Sequence, residues 1–334
     1  MSELPRQEGG QAELTIALAN FDRHLPFFLG WLPPHDDFRL RALDVGINTP
    51  GRDGGDRHGR MFRDKAFDVA EVSLASYIMA RQRGAGFTAV PIFPRRLFSQ
   101  NHIYVSAKSG IHAPRDLIGR RVALRAFQVS LSVLAKGDLQ TAYDTPWRSI
   151  DWLVEESEQV AWAGGAKLDN VSRLPTGKRG AAMLTRGEVD AFIDPRPPAA
   201  VLDGIGGVRP LFADQRRACL EYYEQRQAFP IMHVLVIRDE VVEQYPTLPQ
   251  YLLDAWEDAQ TKTRVAYEDY AYTSMPFGRL AWQDDRRLFG DRLWQSGLAE
   301  NRKNLQFFID YLVDQTLLPH GVDVDSLFHP SVRY

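Results

Sequence analysis

A chain of 334 residues exceeds the size at which one hydrophobic core usually stops growing, so two lobes or domains are expected. A net charge of −3 leaves no basic excess of the kind nucleic-acid binding needs, and no apolar stretch approaches the ~18 residues of a membrane span. Cys219 is the only cysteine, which excludes an intrachain disulfide and a thiolate metal cluster and reads as a buried, inert thiol.

The first residues, MSELPRQEGGQ, lack the basic start, unbroken apolar run and small-residue cleavage site of a signal peptide, so a cytoplasmic protein is expected. Strand patterns follow at Leu14–Ala19, Phe38–Ile47, Asp68–Val72 and Phe87–Phe93. A charged, Gly-rich loop spans Thr49–Gly59, with a short helix at Arg60–Lys65 and a better one at Ser76–Arg83, started by serine and stopped by Gly84. This alternation predicts a mostly parallel sheet with helical crossovers. A second α/β unit reads from His102–Ser106 through Arg121–Leu124, the helix Val129–Tyr143, Ile150–Leu153, Asn170–Leu174, the helix Lys178–Arg186 and Val189–Ile193. Ile231–Ile237 is an apolar strand that returns the chain to the first lobe, and helix spacing then runs through Leu248–Tyr270 and Leu298–Leu318. The order is lobe one (12–105), lobe two (106–230) and a helical return to lobe one (231–334). Two crossings, near Tyr104 and His233, would form a hinge, and ligand sites favour such clefts.

The stretch Phe67–Phe98 carries the strongest chemical pattern. It joins a strand, a hydroxyl-rich turn into a helix, a second strand and the proline-bracketed pair Arg95 and Arg96, whose planar forks suit a carboxylate. Ser73, Ser76 and Tyr77 supply hydroxyls nearby, and Phe98 closes a stretch that reads as half a pocket for an acidic aromatic molecule. The alternatives are plain helix capping by the serines and surface arginines at a strand end. Asp22 and Arg23 follow the first strand, and Asp194 and Arg196 follow Val189–Ile193, positions that line clefts in open sheets or form ordinary ion pairs. His233 falls at the second crossing, where an imidazole could move a proton or serve as a core histidine. The eight histidines form no metal-binding motif, and no P-loop or dinucleotide fingerprint is present, so no metal or cofactor is assigned.

The segments FDVAEVSLASYIMA, AVPIFPRRLF, IYV, RRVAL, FPIMHVLVIR, LFGDRLW and LAENRKNLQFFIDYLVDQTLL occur in an order and spacing that resembles the 4,5-dihydroxyphthalate decarboxylases, across Phe21 to Phe328. The resemblance implies a two-lobed α/β fold of the type II periplasmic-binding-protein class, with a ligand cleft between lobes and a helical C-terminal segment. It also implies cofactor-independent loss of carbon dioxide from a hydroxylated aromatic diacid such as 4,5-dihydroxyphthalate, giving 3,4-dihydroxybenzoate. After Phe98 the family pattern continues Arg-His-Ser, where this chain has Ser99-Gln100-Asn101, a departure that bears on the choice of substrate. Such chemistry needs a general acid, a group favouring the phenolate and a clamp on the spare carboxylate. His233 and Asp22 are the catalytic candidates. Arg23, Ser73, Ser76, Tyr77, Arg95, Arg96, Phe98, Asp194 and Arg196 are the substrate-binding ones. Two other readings stand beside this: a solute-binding protein that only captures an aromatic carboxylate, and a decarboxylase of another hydroxybenzoate. The expected partner is a small aromatic acid, without nucleic acid or membrane. The long C-terminal helices could pack a homo-oligomer or cover the sheet.

Overall fold

The computed structural model describes residues 11–46, 56–161, 168–204, 207–290 and 293–333. The first sheet holds β1 (Ala12–Leu18), β2 (Phe38–Asp44), β3 (Val69–Ser73), β4 (Phe87–Val90) and β11 (His233–Arg238), in the order β2-β1-β3-β11-β4. The second holds β5 (Ile103–Ser106), β6 (Arg121–Leu124), β7 (Asp151–Val154), β8 (Val171–Arg173), β9 (Ala191–Ile193) and β10 (Val208–Pro210), in the order β10-β5-β9-β6-β7-β8. Central strands are buried on both faces and read as apolar runs: every residue of β3 and of β4 is buried.

The parallel sheet expected from sequence is interrupted once in each lobe. β11 runs antiparallel to β3 and β4, and β5 runs antiparallel to β9 and β10. The reason lies in where the chain enters. β3 and β9 end at the cleft, with Ser73 and Ile193 on its wall, whereas β11 starts there at His233. A strand that begins where its neighbours end must run against them. The two crossings lie side by side, joined by the antiparallel bridge Arg96–Ile231 and by hydrogen bonds from Met232 N to Arg95 O (2.8 Å) and Leu97 N to Pro230 O (3.1 Å). The first crossing comes earlier than expected, because all of β5 pairs in the second sheet.

Helix Leu74–Arg81 is capped by Ser73, not started at Ser76. Helix Ser130–Tyr143, buried from Ser130 through Leu139, packs on helix Leu298–Asp314. Gly137 permits that approach, since a Cβ there would stand 2.2 Å from the Tyr311 ring. The last segment returns to the first sheet through His329 N to Ala89 O (2.9 Å). Helix Leu248–Ala266 stops before Tyr270, and Leu298–Asp314 stops before Leu318, where Thr316 takes a positive φ of 61°. Helix Gln215–Arg226 escaped the sequence reading, and Gly278–Phe289 was covered only by the general expectation of a helical C-terminal segment, because few of their residues are buried. Among the described residues no helix is long and apolar enough to cross a membrane. Residues 49–55 of the glycine-rich loop lie outside the described residues; the helix expected at Arg60–Lys65 spans Arg57–Asp64, capped by Asp56, and so takes in the end of that loop.

Candidate active site

A cavity of about 420 Å³ lies between the lobes, within the size range of small-molecule sites. Its first-lobe wall includes Phe21, Arg57, His58, Ser73, Arg95 and His233, and its second-lobe wall includes Arg125, Ser130, Ser132, Gln159 and Arg196. The floor between them is supplied by the crossings, through Leu97 and Met232.

The chemistry centres on His233. Register places it opposite Ser73 at the cleft end of the sheet, and one turn of pleat away Glu71 stands fully buried on β3. His233 Nδ1 and Glu71 Oε1 are 2.5 Å apart. The other Glu71 oxygen accepts from Ala19 N at 3.0 Å and pairs with Arg57 Nη2 at 3.2 Å. Arg57 is itself anchored by Nε to Glu71 O at 2.6 Å and by Nη1 to Val45 O. Burial alone would raise the Glu71 carboxyl, but Arg57 first and His233 second outweigh it and hold it well below the usual range. A carboxylate can only accept, so Nδ1 carries the proton and Nε2 keeps its lone pair. Burial, opposed by Glu71, pushes the His233 imidazole down to about 4, so it is neutral at neutral pH among these side chains. His58 stands edge-on to it, ring centroids 4.9 Å apart, and is pushed well below its usual value by burial and by His233.

Of the residues expected at the site, Ser73, Arg95, Arg196 and His233 meet in the cavity wall. The Arg95 side chain makes no hydrogen bond or ion pair with the described residues, and burial lowers its guanidinium to about 10. Arg196 is half exposed, its backbone N–H held by Asp194 Oδ1 at 2.8 Å. Asp194 thus turns back on its own loop, while Ile193 and Pro195 line the cavity.

The remaining expectations are corrected. Arg96 points away, donating to Phe229 O (2.8 Å), Gln295 O (3.0 Å) and Asn301 Oδ1 (2.6 Å), so it ties the crossings to helix Leu298–Asp314. Asp22 accepts from Tyr267 Oη at 2.5 Å, and Arg23 is sandwiched between Phe21 and Trp294, 4.3 and 4.2 Å from their centroids. The 3-10 turn Asp22–His24 rotates both off the cavity and leaves Ala19 and Phe21 there. Ser76 donates to Gln159 Oε1 at 3.1 Å across the lobes, and Tyr77 is a core ring bonded to Leu327 O. Phe98 packs with Tyr222, Phe229 and Phe289 behind the wall.

The departing residues also lie behind the wall. Ser99 donates to Asp138 Oδ2 at 2.6 Å, Gln100 is fully buried, and Asn101 accepts from Cys219 Sγ at 3.3 Å. Sequence reasoning missed Glu71, Arg57, His58, Arg125, Ser130 and Ser132. The legible signal was a lone charge, Glu71, inside the apolar strand VAEVS, since an unpaired buried carboxylate is too costly to be incidental. Among the described residues no group of three or more His, Cys, Asp or Glu side chains could hold a metal ion.

The buried imidazoles make a pH prediction. Burial brings His24, His102 and His233 down to about 4, whereas an unfolded histidine titrates near about 6.5. As pH falls between those values the unfolded chain takes up protons that the folded one refuses, so stability drops. Each fully buried histidine contributes a loss of about 1.4 kcal/mol per pH unit. Asp138, raised by burial to about 7, binds a proton in the folded state and offsets one of them. Thermal melts are expected to be flat above about pH 7 and to fall steeply towards about pH 5. A melting temperature unchanged at the lower pH would show that these imidazoles are not held neutral.

No family model matches the chain. It is 31% identical over 327 residues to a 4,5-dihydroxyphthalate decarboxylase of Comamonas testosteroni, covering 96% of this chain and 97% of that protein. It is 30% identical over 217 residues to a 4,5-dihydroxyphthalate decarboxylase of Pseudomonas putida, covering 63% and 81%. Among solved structures, the periplasmic aliphatic sulphonate binding protein SsuA of Escherichia coli aligns over 95% of this chain and 92% of its own, with TM-score 0.54 and 16% identity. The alkanesulfonate-binding protein SsuA of Xanthomonas axonopodis pv. citri aligns over 96% and 99%, with TM-score 0.56 and 15% identity. The desulfurization enzyme DSZB aligns over 95% and 96%, with TM-score 0.50 and 18% identity. At such identity these establish the two-lobed periplasmic-binding-protein fold, which serves binding proteins and an enzyme alike and so decides no activity. The relationship in sequence does: the chain belongs to the 4,5-dihydroxyphthalate decarboxylase family and is a carboxy-lyase.

Proposed function

We propose that the protein removes one carboxylate, without a cofactor, from a hydroxylated aromatic diacid such as 4,5-dihydroxyphthalate, yielding 3,4-dihydroxybenzoate and carbon dioxide. The observation that carries this reading is the His233–Glu71 pair opening onto a cavity that also holds the unpaired Arg95. The substrate class comes from the names of the two relatives.

Proton stoichiometry makes the pair suitable. A dianionic substrate plus one proton gives a monoanionic product plus carbon dioxide, so each turnover consumes a proton that the site must deliver to carbon. Among the side chains of the cavity His233 is neutral, because burial opposes its charge and Arg95 and Arg57 repel it more than Glu71 can offset. An entering dianion reverses that field, and His233 Nε2 takes up a proton while Nδ1–H remains on Glu71. Nε2 then protonates the ring carbon bearing the departing carboxylate. The electron pair of the breaking carbon–carbon bond restores aromaticity, and carbon dioxide leaves. A ring hydroxyl para to that carbon pushes electrons towards it, and His58, a neutral imidazole in the cavity wall, accepts that hydroxyl's hydrogen bond. Arg95 takes the carboxylate that stays.

Purified protein mixed with 4,5-dihydroxyphthalate should release 3,4-dihydroxybenzoate, equally with and without chelator. Binding without turnover would replace this reading with simple capture of an aromatic acid. Turnover abolished by chelator would overturn its cofactor-independent part.

A further inference from the structure

Helix Ser130–Tyr143 reaches the cavity with its first turn bare. Its cap position is Val129, which has no side-chain acceptor, and no side chain caps the helix. The backbone N–H groups of Leu131 and Ser132 therefore lack the partner that a Ser, Thr, Asp or Asn cap would supply, at a helix end that already favours negative charge. A second, independent observation points the same way. Ser132 is only 2% exposed, lines the cavity, and its hydroxyl has no hydrogen-bond partner among the described residues. The neighbouring Ser130 hydroxyl is already engaged by Ser73 Oγ at 2.9 Å and Ala75 N at 3.2 Å, so Ser132 alone is free to bind.

The loop before this helix is held in place. Lys136 Nζ donates to Phe127 O at 2.8 Å, and Glu158 accepts from Phe127 N at 2.7 Å and Gln128 N at 3.1 Å. The Gln128 side chain exchanges two hydrogen bonds with the Val160 backbone, at 2.6 and 3.0 Å. A bare helix end fixed this firmly, with a buried hydroxyl beside it, is a preorganised anion site rather than a frayed terminus.

We infer that the first turn of helix Ser130–Tyr143, with the Ser132 hydroxyl, is the second-lobe subsite for the carboxylate that the substrate keeps. The inference rests on the decarboxylase reading for the word "keeps". A carboxylate leaving as neutral carbon dioxide loses its charge at the transition state, so gripping it would hold back the reaction; a retained one can be gripped at no such cost. His233 stands opposite Ser73, whose Oγ meets Ser130 Oγ at 2.9 Å, so the imidazole and the helix end adjoin and suit the two neighbouring carboxylates of an ortho diacid, the departing one at His233 and the retained one at the helix. Ser132 and the helix end thereby make the site selective for ring acids over uncharged catechols.

The test is calorimetric binding of 3,4-dihydroxybenzoate and of catechol to wild type, Ser132→Ala and Val129→Asp. Ser132→Ala, which suits a helix interior, should weaken 3,4-dihydroxybenzoate by about tenfold and leave catechol unchanged. Val129→Asp puts the chain's own carboxylate on the bare turn. It should abolish binding of the acid while raising the melting temperature. Equal affinity for the acid in wild type and Ser132→Ala, or equal losses for acid and catechol, would overturn the subsite even if 4,5-dihydroxyphthalate is turned over normally. If the acid effect appears but no diacid is decarboxylated, the subsite stands and the decarboxylase reading falls.

Discussion

Replacing His233 by alanine is expected to lower kcat by about a thousandfold while leaving the affinity for an aromatic acid within about tenfold. The separation follows from what the imidazole touches. Nδ1 is committed to Glu71, and only Nε2 faces the cavity, so the side chain offers substrate a proton route rather than a binding charge. Glu71→Gln should lower kcat for a different reason. The amide cannot stabilise the imidazolium that forms when substrate enters, so less of the proton donor is present. It should also cost about 3 kcal/mol of stability, because Arg57, 4% exposed, would lose its buried counter-ion. Rates are measured with saturating diacid, and affinity with the non-reacting product. A His233→Ala protein that turns over within tenfold of wild type would remove the imidazole from the reaction. If instead rate and product affinity fall together, His233 is holding the cavity's shape.

Much of this site was legible because it lies where strands end. Ser73, Arg95 and Arg196 follow predicted strands and His233 lies near the start of one, and open α/β folds place such positions on a cleft. What sequence could not supply was direction. Arg95 and Arg96 are adjacent outside any regular element, so no periodicity tells which enters the cavity. The bridge from Arg96 to Ile231 decides it, and that is a contact between residues 135 apart in the chain (231 − 96). Asp22 and Arg23 looked equivalent to Asp194 and Arg196 in placement, yet a 3-10 turn after Phe21 carried them off the wall. Glu71 was hidden by its neighbours: a single acid inside VAEVS reads as strand and reveals its role only when Arg57 and His233 arrive from both sides. The helix Ser130–Tyr143 was placed within one residue of its start, but an uncapped first turn becomes meaningful only once it is seen to open on a cavity.

Arg95→Met is expected to raise the melting temperature of the empty protein and to weaken diacid binding by about a hundredfold. Arg95 is half-buried at the cavity wall, where burial, Arg57 and Arg23 oppose its charge and Glu71 and Asp194 favour it without bonding to it; its side chain makes no hydrogen bond or ion pair with the described residues and lies 5.8 Å from the Phe21 ring. A desolvated cation with no bonded counter-ion destabilises the fold that contains it, so an apolar side chain of similar length should stabilise by about 1 kcal/mol. The same cation becomes a bidentate partner when a carboxylate arrives, and losing two charge-assisted hydrogen bonds costs about 3 kcal/mol of binding. Arg95→Lys should recover the charge but not the fork, and so fall between the two. Arg96→Ala makes the control in the same dipeptide. It strips three buried acceptors, Phe229 O, Gln295 O and Asn301 Oδ1, and should lower the melting temperature. Opposite shifts in stability from neighbouring arginines are what a binding residue beside a structural one produces. If Arg95→Met melts lower than wild type, or binds the diacid as tightly, Arg95 is not the carboxylate clamp, and the charge that draws the substrate in must come from Arg125, Arg196 and the bare end of helix Ser130–Tyr143.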